Sequence, residues 1–148
     1  MPQISLHTPL GDLTVSEEQG AIVAVDWGWG RDQDETPLLR AARDQLEQYF
    51  DGRRVRFDLV LSPVGTVYRR RVWTALCDIP PGETRTYREI ARLAGGSARS
   101  VGQANGCNPI PVLIPCHRVV ASAGLGGYSG GDGVDTKRFL LQLEARAA

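Results

Sequence analysis

The pattern of the chain changes once, at Ser62-Pro63, and that change limits the folds open to it. Before it lie short β-like runs, Gln3-Ile4-Ser5-Leu6-His7, Leu13-Thr14-Val15 and Ala21-Ile22-Val23-Ala24-Val25. They are separated by Gly11-Asp12 and Gln19-Gly20, a spacing that predicts two hairpin turns of an antiparallel sheet. From Thr36 a helix is predicted, with Thr36 as N-cap and Pro37 in the first turn. Its apolar stripe, Leu38, Ala42, Leu46, Tyr49 and Phe50, stops at Gly52 and covers one face of the sheet. After the linker-like Ser62-Pro63-Val64-Gly65, helical spacing takes over. Tyr68, Val72, Ala75, Leu76 and Ile79 recur until Pro80-Pro81-Gly82 ends the run. Thr86-Tyr87-Arg88-Glu89 is a capping box opening a helix from Tyr87 to Leu93 that closes at Gly95-Gly96. Ser97 caps a second, from Ala98 to about Ala104, ending at Asn105-Gly106. Two short helices across a glycine turn form a helix-turn-helix candidate. A proline-rich extended stretch then runs to Val120, a glycine-rich loop spans 124–133, and a last helix from about Thr136 carries Phe139, Leu140 and Leu143. The expected fold class is α/β of the α+β kind. An N-terminal sheet with one helix would occupy 1–62, and a winged helix-turn-helix-like domain 63–148.

Composition excludes several other readings. At 148 residues, 42% hydrophobic and 23% charged, the chain is long and apolar enough to fold around a core without disulfides. Three cysteines, an odd number, argue against a secreted disulfide framework. No apolar run approaches the ~18 residues of a membrane span. The start shows neither a basic nor an apolar signal region, so a cytoplasmic protein is expected. The net charge of zero conceals a division: residues 1–62 carry 6 arginines against 11 acids, and residues 63–148 carry 11 Lys/Arg against 6. Within 85–118 stand Arg85, Arg88, Arg92, Arg99 and Arg118 against Glu89 alone. Such a stretch fits either a polyanion footprint or a solvated face.

Chemistry concentrates at Pro115-Cys116-His117-Arg118, a thiol beside an imidazole and a guanidinium. Either neighbour would lower the thiol pKa and favour the thiolate nucleophile. On a strand, however, adjacent side chains point to opposite faces, so a buried, inert cysteine beside a satisfied histidine is the alternative. Cys77 falls on an apolar helical stripe and reads as core, whereas Cys107 lies in a loop. A zinc site drawn from Cys77, Cys107, Cys116, His7 and His117 lacks any metal-type spacing, so no metal is expected. The loop Gly124-Leu125-Gly126-Gly127-Tyr128-Ser129-Gly130-Gly131 lacks the signatures of a nucleotide phosphate cradle. It reads as a lid or a close-approach loop.

Pro115-Cys116-His117-Arg118-Val119 resembles the active-site signature of the O6-alkylguanine-DNA alkyltransferases, the methylated-DNA–protein-cysteine methyltransferases. The resemblance continues in order through Val72-Trp73, Ala75-Leu76, Ile79-Pro80, Gly82, Thr86-Tyr87, Glu89-Ile90-Ala91, Ala98-Arg99, Val101-Gly102, Asn108-Pro109, Gly127-Tyr128-Ser129-Gly130-Gly131, Lys137, Leu140-Leu141 and Glu144. It covers about eighty of the 148 residues; the segment before it is compatible with the small, variable sheet-plus-helix domain of that family. Ser100 and Cys107 depart from the commoner alanine and basic or polar residue. A branch with tryptophan in place of the nucleophile binds damage without repairing it, and Cys116 separates this chain from that branch.

The resemblance implies Cys116 as acceptor of the alkyl group, with His117 drawing the thiol proton through a water and Glu144 orienting the imidazole. Tyr87 would rotate the target nucleotide's phosphate and donate to the base, while Arg99 would fill the vacated stack. Ser97, which caps the same helix, belongs to this DNA-binding and base-flipping group. Asn108 would be the hinge before the active site, Tyr128 and Ser129 would line the base pocket, and Arg118 would tie the loop in place. The expected partner is double-stranded DNA carrying O6-alkylguanine, with O4-alkylthymine as a second lesion, approached through the minor groove by a monomer. No cofactor is expected, and the thioether product implies one turnover per chain. Rivals are a damage-binding module that recruits other repair factors and a Cys-His hydrolase.

Overall fold

The computed structural model describes residues 1–147. Its first layer is a three-stranded antiparallel meander, β1 (Gln3–Thr8), β2 (Gly11–Glu18) and β3 (Ala21–Trp27), in the order β1-β2-β3. Between β2 and β3, Gln19 and Gly20 both take positive φ (52° and 78°), the backbone that matches a tight turn to strand twist. Between β1 and β2 the turn residues are Pro9 and Leu10, and Gly11-Asp12 instead begin β2, with Thr8 paired to Gly11. Proline pre-sets the turn and Gly11, at φ 106°, takes the positive φ after it.

The helix α1 (Pro37–Phe50) begins as predicted, Thr36 accepting from the Leu39 N–H. Its buried face is Leu39, Ala42, Leu46, Tyr49 and Phe50; Leu38 is only half-buried, because Leu39 takes the innermost position. The chain then returns beside the sheet, where Ile22 N–H donates to Val60 O and Ser62 N–H to Ile22 O. The residues just before Pro63 are therefore pinned to β3.

Three helices follow. α2 (Val67–Cys77) is capped by Thr66 and buries Val72, Trp73 and Leu76; Trp73 Nε1–H donates to Ala104 O at 2.8 Å. Ile79 is buried just past its end. Cys77 is exposed rather than core; in the same turn Leu76 takes the buried position. α3 (Tyr87–Ala94) has the predicted capping box, and Gly95 and Gly96 (φ 89° and 80°) make the turn to α4 (Ala98–Gly106). Ser97 caps α4 with Ser100 closing a second box, and the helix runs to Gly106. The Tyr68 hydroxyl donates to Gly95 O (2.9 Å) and sits 2.8 Å from Ser100 Oγ, fastening α2 to the turn.

The proline-rich stretch does not stay extended. Cys116–Arg118 form one 3-10 turn, after which β5 (Val119–Val120) pairs in parallel with β4 (Arg85–Thr86). A loop leads into α5 (Val134–Ala147). One continuous apolar core spans both layers, and Val25 N–H donates to Pro109 O at 2.9 Å. The first layer thereby holds the segment that carries Cys116.

Candidate nucleophile and nucleic-acid interface

The thiol owes its position to Asn108 and the prolines. Asn108 Nδ2 donates to Ile114 O and its Oδ1 accepts from Ile110 N–H, closing the loop between them. Val112, a β-branched residue at φ 71°, sits in that loop, a strained conformation that the bracket sustains. Asn105 Nδ2, from α4, donates to Cys116 O. The 3-10 turn then sends Cys116 one way and His117 and Arg118 another. Cys116 is 5% exposed and borders two openings. One, of about 310 Å³, is walled by Tyr87, Gly102, Asn105, Gly127, Tyr128 and Ser129. The other, of about 180 Å³, is reached past Trp27, Asn108 and Pro111.

Behind the thiol lies a buried ionic cluster. Glu144, on α5, accepts from His117 Nε2 (2.7 Å), from Arg118 Nε (2.8 Å) and Nη2 (2.9 Å), and from the Tyr49 hydroxyl (2.7 Å). Arg118 also donates to Ile79 O. Burial pushes the Glu144 carboxyl up, but the His117 and Arg118 hydrogen bonds outweigh it and hold the pKa at about 2. The carboxylate is therefore an acceptor only, so His117 carries its proton on Nε2 and leaves Nδ1 as the basic lone pair. Nδ1 is buried and has no protein partner among the described residues. Burial lowers the His117 pKa despite Glu144, which keeps the ring neutral and able to accept a proton.

The thiol itself departs from the sequence-based expectation. Its pKa is raised, because burial outweighs the lowering by Asn108, Tyr128 and Lys137. His117 and Arg118 give it no direct help, since both are turned toward Glu144. The resting thiol is protonated and needs a base.

Tyr128 faces it with a hydroxyl that lacks a well-formed hydrogen bond, and burial raises that phenol's pKa. Ser129 Oγ–H donates to Gly106 O at 3.3 Å, tying the glycine-rich loop to α4. Lys137 matters more than the sequence suggested. It is fully buried, and Nζ donates to Val119 O (2.6 Å) and Gly127 O (3.0 Å) and lies 5.9 Å from the Tyr87 ring centroid. Burial lowers its pKa to about 8. The signal was present: Lys137, Leu140 and Glu144 share one helical face, so the cation lies on the face that Leu140 buries.

The structure brings Cys116, His117, Glu144, Asn108, Tyr128 and Tyr87 to one site. Tyr87, the first residue of α3, is half-buried on the larger opening; burial is the main cause of its raised pKa. Arg99 and Ser97 stand apart from the thiol, exposed at the start of α4. Arg88, Arg92 and Arg99 form no ion pair among the described residues, whereas Arg85 pairs with Glu83 at 3.2 Å. Arg118 does not belong to this surface, because Glu144 neutralises it inside the protein. Tyr49 and Asn105, which the sequence reading gave no site role, join the constellation.

A helix-turn-helix surface beside a thiol with its own buried proton acceptor defines a nucleic-acid-binding group-transfer protein. The 6-O-methylguanine DNA methyltransferase DNA binding domain matches residues 67–146, and the ribonuclease-like domain of the same family matches residues 3–63. The chain belongs to this family. It is 43% identical to the methylated-DNA–protein-cysteine methyltransferase of Methanosarcina barkeri, covering 94% of both chains. It is 42% identical to the constitutive one of Bacillus subtilis, over 93% of this chain and 92% of that protein. The crystal structure of Mycobacterium tuberculosis OGT in complex with DNA superposes with TM-score 0.89 at 39% identity, over all of this chain and 95% of the other.

Proposed function

We propose that the chain repairs DNA by direct reversal, moving the alkyl group from O6 of guanine onto its own Cys116. The observation that carries this reading is Cys116 on the wall of an opening shared with Tyr87, with the neutral His117 anchored behind it. The lesion must leave the duplex to reach that opening, at a cost of a few kcal/mol of unstacking. Arg99, first-turn residue of α4, enters the stack from the minor groove in its place, and the arginines of α3 hold the phosphates.

In the transfer, Sγ attacks the alkyl carbon; the S–C bond forms as the C–O6 bond breaks, and the electron pair stays on O6. The thiol proton passes through a water to His117 Nδ1, and the guanine takes up one proton as its 6-oxo form is restored. Tyr87 donates toward the base while negative charge gathers there. Because the resting thiol is protonated, the His117–Glu144 pair supplies the general base the step requires. The thioether is no leaving group, so each chain acts once.

The test is to mix the protein with a duplex oligonucleotide containing O6-methylguanine and read intact and peptide masses. One added methylene on the Cys116 peptide is expected, and an unmodified peptide overturns the reading, leaving a damage-binding module. Arg99→Ala should slow transfer from the duplex by ~10-fold, the equivalent of about 1.4 kcal/mol of flipping cost. It should leave transfer from the free alkylated base nearly unchanged; equal losses on both substrates would remove Arg99 from base flipping.

A further inference from the structure

We propose that Tyr49 is a positioning residue for the transfer relay: its hydroxyl pins the Glu144 carboxylate from the first layer and so fixes the tilt and basicity of His117. The inference rests on the alkyl-transfer reading only for its kinetic consequence, since the arrangement of Tyr49, Glu144 and His117 is independent of any substrate.

Tyr49 lies on the inner face of α1 and is 1% exposed. Its ring packs edge-on against Phe50 (5.2 Å between centroids) and tilted against Phe57 (5.3 Å). Phenylalanine would fill that space equally, so packing does not require the hydroxyl. What the hydroxyl adds is one hydrogen bond of 2.7 Å to Glu144 Oε2, across 95 residues of sequence. The same Oε2 accepts from His117 Nε2 and Arg118 Nη2, while Oε1 accepts from Arg118 Nε alone.

The position of that bond is what gives it a role. Without Tyr49, every donor to the carboxylate comes from the consecutive residues His117 and Arg118, on one side. Tyr49 approaches from α1, so the carboxylate is held between two layers rather than by the 3-10 turn alone. The donated proton also draws charge from Oε2, the oxygen that His117 faces. Removing the donor leaves a more basic carboxylate, which favours imidazolium over imidazole. An imidazolium cannot take the thiol proton. The titratable and charged groups that bear on His117 are Glu144, Arg118 and Lys137; those that bear on Tyr49 are Glu144, Arg118 and the neutral phenol of Tyr128. Tyr49→Phe leaves all of them in place.

The chain has only 2 histidines, His7 and His117, so imidazole nitrogen NMR of the full-length protein reads the effect without DNA. In Tyr49→Phe the His117 titration midpoint should rise by about half a pH unit, with the His7 signals as internal control. A fluorinated tyrosine at position 49, a stronger donor of nearly the same volume, should move it the opposite way. Loss of packing cannot produce shifts of opposite sign. On an O6-methylguanine duplex, Tyr49→Phe should slow transfer by up to about threefold on the acid limb of the rate profile, that limb being displaced upward by the same amount as the NMR midpoint. Superimposable His117 titrations in the three proteins would overturn the proposal and reduce Tyr49 to packing. If the titrations move as stated while the parent protein transfers no methyl group, the alkyl-transfer reading fails and the positioning by Tyr49 stands.

Discussion

Glu144→Ala is expected to lower the free energy of unfolding by about 3–5 kcal/mol, the usual cost of breaking a buried ion pair by removing one partner. The loss is large because four donors converge on one carboxylate. Truncation leaves the Arg118 guanidinium, 5% exposed, as an uncompensated charge beside an orphaned Tyr49 hydroxyl and His117 Nε2–H. Urea unfolding followed by far-ultraviolet circular dichroism measures it, and a loss under about 1 kcal/mol would show that Arg118 finds another partner or water. Transfer activity should vanish with it, since His117 loses the group that fixes its tautomer. The pH dependence has a definite sign. The folded pKa of Glu144, about 2, lies below the ordinary carboxylate value near ~4.3. Its contribution is therefore fully present above that ordinary value and is lost as pH falls from there toward the folded one. Glu144→Gln keeps the volume and should flatten this part of the acid-unfolding curve.

What the sequence revealed divides along the distance over which residues interact. Thr36-Pro37, the Thr86–Glu89 box and Ser97 are local devices whose hydrogen bonds close within one turn, and all three helix starts fall where those residues predict them. The Gln19-Gly20 turn was legible for the same reason. In the first hairpin the turn lies at Pro9-Leu10, two residues before Gly11-Asp12, because proline sets the turn and Gly11 takes the positive φ that follows it. Cys77 shows the limit of periodicity. Its helical face is apolar, but Leu76 in the same turn takes the buried position and Cys77 stays exposed.

The site was legible as a set of side chains and illegible as a circuit. Cys116 and His117 are adjacent, which suggested that one acts directly on the other. On a strand the two side chains would face opposite ways, and the sequence does not say whether the segment is a strand. The 3-10 turn resolves it by separating the thiol from the two basic side chains and sending both of those to Glu144. The thiol's pKa is raised by its burial, which neither of those side chains is placed to offset. Arg118 likewise counted as part of a cationic surface until its partner, 26 residues away in sequence, placed it inside. Tyr49 lies 95 residues from Glu144, on a helix whose stripe explained it fully as core. No local pattern distinguishes a buried tyrosine that packs from one that also donates.

The second large effect concerns the sulfur. Cys116→Ser should abolish alkyl transfer, with a loss of at least ~1,000-fold, because a neutral hydroxyl is a far weaker nucleophile than a thiol whose proton is relayed to a neutral imidazole. The substitution changes one atom in a pocket that already holds polar neighbours, Asn108 and Tyr128, so stability should change by no more than about 1 kcal/mol. Binding to alkylated duplex, read by fluorescence anisotropy, should stay within about threefold of the parent protein, since Arg88, Arg92, Arg99 and Tyr87 are untouched. The parent itself should accept one methyl group per chain and then stop. Cys116 is the only thiol on the walls of either opening among the described residues, and Cys77 and Cys107 are exposed elsewhere. Substituting both by serine should therefore leave the plateau at one. A plateau above one, or one that falls when Cys107 is removed, would mean that a second sulfur receives the alkyl group and that the chain can turn over.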